Sequence, residues 1–176
     1  VMSVSPSPRS TGISGMDQLL EGLKPGDNVV WRVDRISDYQ PFCEAAAKAA
    51  IREDRKVVYF RFAQHPSALR DVHTEEISAT EGFEHFITSI HAKIIEAGPQ
   101  AMLFFDSLSD LSARYYSDRM IGNFFQLTCP LVLSIGSVAY FSLDRYFHSY
   151  HTVEPVTSTT QILIDVYRHG DRQYIQ

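Results

Sequence analysis

Apolar residues along this chain follow two spacings: short continuous runs, and longer stretches in which they recur every third or fourth position. Continuous runs bounded by turn residues predict strands buried on both faces, whereas the longer period predicts amphipathic helices. The runs are 29–33, 57–62, 101–105 and 138–143. The helical spacing first appears in a short segment with Leu19, Leu20 and Leu23 on one face, closed by a turn at 24–27. It returns after Asp38, which reads as a helix cap with Pro41 in the first turn, and continues through Phe42, Ala45, Ala46, Ala49 and Ala50.

A further helix spans 80–97 on Phe83, Phe86, Ile87, Ile90 and Ile94, and Gly98 with Pro99 stops it. Another starts near Asp118 with Met120, Ile121, Phe124, Phe125 and Leu127 inward, and Pro130 is expected to interrupt or redirect it. Residues 146–160 read as a short helix plus loop. Residues 161–167 and 173–175 read as a hairpin turning at Gly170 and Asp171. Strands alternating with helices predict an α/β fold, a mostly parallel sheet flanked by helices, with a C-terminal antiparallel hairpin. A flexible tail at 1–9 and a single domain at 10–176 complete the reading.

Length and composition agree with one domain, since 176 residues with 44% hydrophobic content supply one substantial core. With 16 Lys and Arg against 21 Asp and Glu, the net charge of -5 argues against general attraction to nucleic acid or anionic membrane. The two cysteines, Cys43 and Cys129, are far apart and without metal spacing, which fits a reducing compartment and small core residues. The start is polar, with no basic stretch leading into an apolar run, and no apolar stretch of about 18 residues occurs, so a cytoplasmic location is expected.

Two segments carry a resemblance. STGISGMDQLLEGLKPGD, at 10–27, resembles the lead-in segment of the RecA-like ATPases of the KaiC and RadA type, and AMLFFDSLSDLS, at 101–112, resembles their Walker B strand. The further wording GLKPGDNVVWRVDRISDYQPF, VYFRFAQH and IGNFFQLTCPLV is similar to the KaiC-like module at the N-terminus of phosphoenolpyruvate synthase and pyruvate phosphate dikinase-like proteins. The resemblance implies a RecA-like, P-loop NTPase-like domain. It places the Walker A consensus on Val33, Asp38, Tyr39 and Gln40, none of which is the required glycine, lysine or hydroxyl residue. A working loop curls backbone N–H groups around phosphates, neutralises them with lysine and ligates magnesium through a hydroxyl. The paired catalytic glutamates correspond to Ala63 and Gln64, and Glu75 and Glu76 come about a dozen residues late.

The degenerate nucleotide site therefore comprises Arg32, Arg35, Asp38, Tyr39, Gln40 and Asp106. Arg32 points either into the loop or away from it. Asp106, at the end of a central strand, sits where open α/β sheets bind ligands, or else it bonds a neighbouring loop. His65 lies at the crest of the sheet, as a catalytic or a loop histidine. His148 and His151 share a helical face but have no third metal ligand. Tyr146, Phe147 and Tyr150 are expected to meet another domain or protomer. The favoured expectation is a noncatalytic interaction or regulatory module of a phosphoenolpyruvate synthase-like protein. Its partners are then other domains of a larger polypeptide or a second copy, with no nucleic acid, membrane, metal or cofactor. One alternative is an atypical ATPase or kinase domain holding ATP and magnesium through Arg32, Arg35 and Asp106; a weaker one is a DNA-binding recombinase relative. A chain ending just after a hairpin also suggests that more polypeptide follows.

Overall fold

The computed structural model describes residues 7–62, 64–146 and 150–176, the side chains of 150–152 excepted. Ala63, Phe147 and His148, and the side chains of Tyr150 and His151, lie outside the described residues. The elements are α1 (Ser14–Leu20), β1 (Asn28–Val33), α2 (Ile36–Arg52), β2 (Val57–Arg61), β3 (His73–Glu76), α3 (Phe83–Ala97), β4 (Met102–Asp106), α4 (Leu108–Arg114), α5 (Asp118–Ile135), β5 (Val138–Asp144), α6 (Tyr150–Thr159), β6 (Ile162–His169) and β7 (Arg172–Ile175). The seven strands order as β3-β2-β4-β5-β1-β6-β7. Every neighbouring pair is parallel except β6 with β7.

Alternation along the central strands divides their side chains between two cores. Val29, Trp31 and Val33 of β1, Tyr59 of β2, Phe104 of β4 and Tyr140 of β5 face α1 and α2. Val30, Phe60, Phe105 and Phe141 face the other way, against Phe86 and Ile90 of α3, Leu111 of α4, Phe124 of α5 and Val156 of α6. A sheet covered on both faces explains why its strands read as unbroken apolar runs. The lead-in segment is locked by Asp17, whose carboxylate accepts from the Ser10 hydroxyl at 2.5 Å and from the Thr11 amide and hydroxyl at 2.7 and 2.6 Å. Gly12, at φ +81°, brings this segment against α2 so closely that a Cβ would lie 2.2 Å from the Ala45 carbonyl oxygen.

Several expectations need correction. Helix α2 begins at Ile36 with Arg35 as its cap, so Asp38 lies inside it and Pro41 is its sixth residue. Pro41 does not break the helix because both it and Ser37, whose carbonyl loses its partner, face solvent. The same holds for Pro130 and Gln126, and α5 runs through to Gly136, which caps it at φ +84°. Leu19 and Leu127 are exposed rather than inward, and Met16 fills the place beneath α1. The helix expected from residue 80 starts at Phe83. The polar edge strand β3 and the short helix α4 were not anticipated.

Candidate functional site

The strand order creates one crevice at the carboxyl ends of the sheet. From β1 the chain leaves through α2 over one face towards β2. From the adjacent β5 it leaves through α6 over the other face, past β1 to β6. Ligands of open α/β sheets bind at such a switch point. A cavity of about 230 Å³ opens here, lined by Val33, Ile36, His65, Ser107, Ser109 and Asp144 among others.

Asp106 ends β4 at the floor of this crevice and is fully buried. One carboxylate oxygen accepts from the Tyr59 hydroxyl, and the other lies 2.5 Å from His65 Nε2. His65 Nδ1 lies 2.7 Å from the Pro66 carbonyl oxygen. Both ring nitrogens thus meet acceptors, an arrangement that favours the doubly protonated ring. Its pKa is raised, first by the hydrogen bond to Asp106, and that effect outweighs burial. The Tyr59 hydroxyl also accepts from the Ala68 amide at 3.1 Å. Burial, and then the Asp106 charge, raise its pKa. Asp106 thereby clasps the 64–68 loop to the central strands. The Asp106–Ser107 peptide is cis.

Of the six residues expected to form the nucleotide site, the structure directs the others elsewhere. Only Asp34 and Arg35 separate β1 from α2, so positions 36–40 form helix instead of a phosphate-wrapping loop. Tyr39 is buried in the core, 6.2 Å from the Trp31 ring and beside Cys43. Gln40 donates to Glu44 one turn along at 3.0 Å. Asp38 is buried and accepts from Arg168 at 2.6 Å and Gln173 at 3.0 Å, which ties α2 to the terminal hairpin. Arg32 turns away from the α2 entrance, donating from Nε to Asp165 on β6 at 2.8 Å. Arg145 completes that network with bonds of 2.9 Å to Asp34 and Asp165, its guanidinium 4.3 Å from the Tyr167 ring centre. Arg35 is exposed at the helix cap.

The remaining candidate positions supply no carboxylate to the crevice. Gln64 pairs with Arg114. Glu75 and Glu76 lie on edge strand β3, where Glu75 meets His73 at 2.7 Å and Lys93 at 3.4 Å. The residues that the resemblance aligns with the Walker A lysine and hydroxyl are a core tyrosine and a helix-surface glutamine, and the strand-end carboxylate is bonded to Tyr59 and His65. Among the described residues no group of three or more His, Cys, Asp or Glu is placed to hold a metal. Tyr59 is marked in the sequence only as a phenol among the apolar residues Val57, Val58 and Phe60 of β2. No helix among the described residues is long and apolar enough to cross a membrane. No protein-family model matches the chain, and no curated protein matches it.

Proposed function

We propose that this chain is a RecA/KaiC-like domain whose nucleotide site has become part of the scaffold. It serves as a noncatalytic interaction or regulatory module of a phosphoenolpyruvate synthase-like protein. The observation that carries this reading is the clasp: Asp106, where the resemblance expects a magnesium-linked carboxylate, is buried and bonded to Tyr59 and His65. Its supports are the parallel sheet with a C-terminal hairpin and the lead-in segment folded around Asp17. Opening the clasp for magnesium would forfeit charge-assisted hydrogen bonds of roughly 1.5–3 kcal/mol each, and a lone carboxylate gives little in return.

The interaction role draws on apolar side chains left outside at the hairpin end of the sheet. Tyr146 is 80% exposed and Leu19 76%, and Tyr167, Tyr174 and Ile175 are partly exposed. The partner proposed is another domain of the same polypeptide. Isothermal titration with Mg·ATP and Mg·ADP tests the reading. No saturable heat attributable to the crevice is expected. Micromolar binding abolished by Asp106→Asn would overturn it in favour of an atypical ATP-binding domain.

A further inference from the structure

The amino-terminal end of the sheet carries a second polar site, built from residues that the crevice does not use. Arg9 precedes α1, Arg55 lies between α2 and β2, and Gln100 lies between α3 and β4. They line one cavity of about 520 Å³ with Ser7, Pro8 and Glu53. Both arginines are more than nine-tenths buried, at 5% and 8% exposure.

Arg9 spends one terminal nitrogen on the Pro99 carbonyl at 2.7 Å and the Gln100 side-chain oxygen at 3.5 Å. Arg55 spends its Nε on Glu53 at 2.9 Å. Arg9 Nη1 and both terminal nitrogens of Arg55 are buried without a hydrogen-bond partner among the described residues. Each of these nitrogens carries two N–H groups. Burying guanidinium groups without acceptors is expensive. Burial holds both pKa values below the usual arginine value, and the charge of Arg55 adds to the effect on Arg9. Arginine nevertheless remains charged under ordinary conditions.

Two carboxylates temper the positive charge. Glu53 also accepts from the Ser10 amide at 3.2 Å, and Asp27, which takes the Lys24 amide at 2.7 Å, acts on Arg9 from further away. Neither satisfies the three free nitrogens. Donors supplied by two arginines from separate segments exceed what one planar carboxylate accepts along a single edge, and they suit a tetrahedral oxyanion. We propose that Arg9 and Arg55, with Gln100 at the rim, form a binding site for a phosphate group, carried free or on a small phosphate monoester.

The site is separate from the Asp106 clasp, which lies at the other end of β4, so its test stands apart from the reading of the crevice. The full chain is titrated with inorganic phosphate at constant ionic strength, with acetate as the carboxylate control, and the melting temperature and the phosphorus-31 linewidth are followed. A saturable rise in melting temperature is expected with phosphate and not with acetate, together with line broadening. Arg55→Met should abolish both effects. Arg55→Lys, which keeps the charge but loses the fork, should weaken the apparent affinity at least fivefold and carries the test if the methionine variant does not fold. Asp106→Asn should leave phosphate binding unchanged. A response no greater than that to acetate, or an equal phosphate response in the folded Arg55 variants, would overturn the proposal.

Discussion

Replacing His65 with alanine tests the clasp directly. The His65 side chain is 18% exposed and that of Asp106 0%, so the substitution strips a buried carboxylate of its histidine partner and leaves the Tyr59 hydroxyl as its side-chain partner among the described residues. Removing one member of a fully buried ion pair costs about 3–5 kcal/mol. Here water can reach the vacated side, so the value for a single charge-assisted hydrogen bond is the better guide, about 1.5–3 kcal/mol. For a chain of this length, each kcal/mol corresponds to a melting shift of roughly 2–4 °C. The pH dependence supplies the sharper criterion. Because folding raises the His65 pKa, its contribution is complete below the unfolded value of about 6.5 and is lost as pH rises through the folded value. Urea denaturation of both proteins at pH 6 and pH 9 should show a large difference in stability at the lower pH and a smaller one at the higher. Effects of other titrating groups common to both proteins cancel in that comparison. Equal stabilities at pH 6, or a difference independent of pH, would refute the assignment of an Asp106–imidazolium pair.

Gly12→Ala should destabilise the fold by at least about 2 kcal/mol in urea melts, since the position needs positive φ and the new methyl would meet the Ala45 carbonyl. Asp38→Ala should cost about 1–2 kcal/mol and speed amide exchange in β7, because Arg168 and Gln173 lose their shared acceptor; unchanged exchange there would show that α2 does not anchor the hairpin. The two thiols should resist alkylation until the chain unfolds. Burial raises the pKa of both, that of Cys129 to about 12, so a thiol-reactive dye that labels the native protein rapidly would contradict this burial.

Much of the sheet was legible because its central strands are buried on both faces, and a run such as Val57 to Phe60 admits few other interpretations. Strand β3 was not, because its His73, Thr74, Glu75 and Glu76 form a polar edge, and only its pairing with β2 makes it a strand. The start of α2 was misread for a related reason. Asp38 has the chemistry of a cap, but Arg168 and Gln173, 130 and 135 residues away, draw it inside the helix. The direction of Arg32 was equally hidden: the parallel register that sets it opposite Asp165 depends on the placement of β6. At the crevice, Asp106 and His65 could each be marked as unusual from their positions, but their contact requires the 64–68 loop to fold back over β4. Such long-range pairings leave no local period to read.

The charges at the two ends of the sheet are disposed differently, and the difference bears on where this domain meets a ligand. At the carboxyl end, Asp106 is matched by His65, Asp38 by Arg168, and Asp34 and Asp165 by Arg145 and Arg32. Each of these pairs joins elements distant in sequence, so a ligand entering there would have to displace contacts that hold α2, β6 and the 64–68 loop in place. At the amino end, by contrast, guanidinium nitrogens of Arg9 and Arg55 are buried without acceptors among the described residues. A fold bears the desolvation of such groups more readily when an acceptor arrives to meet them. On the reading proposed above, scaffold chemistry occupies the carboxyl end of the sheet and anion recognition the opposite end.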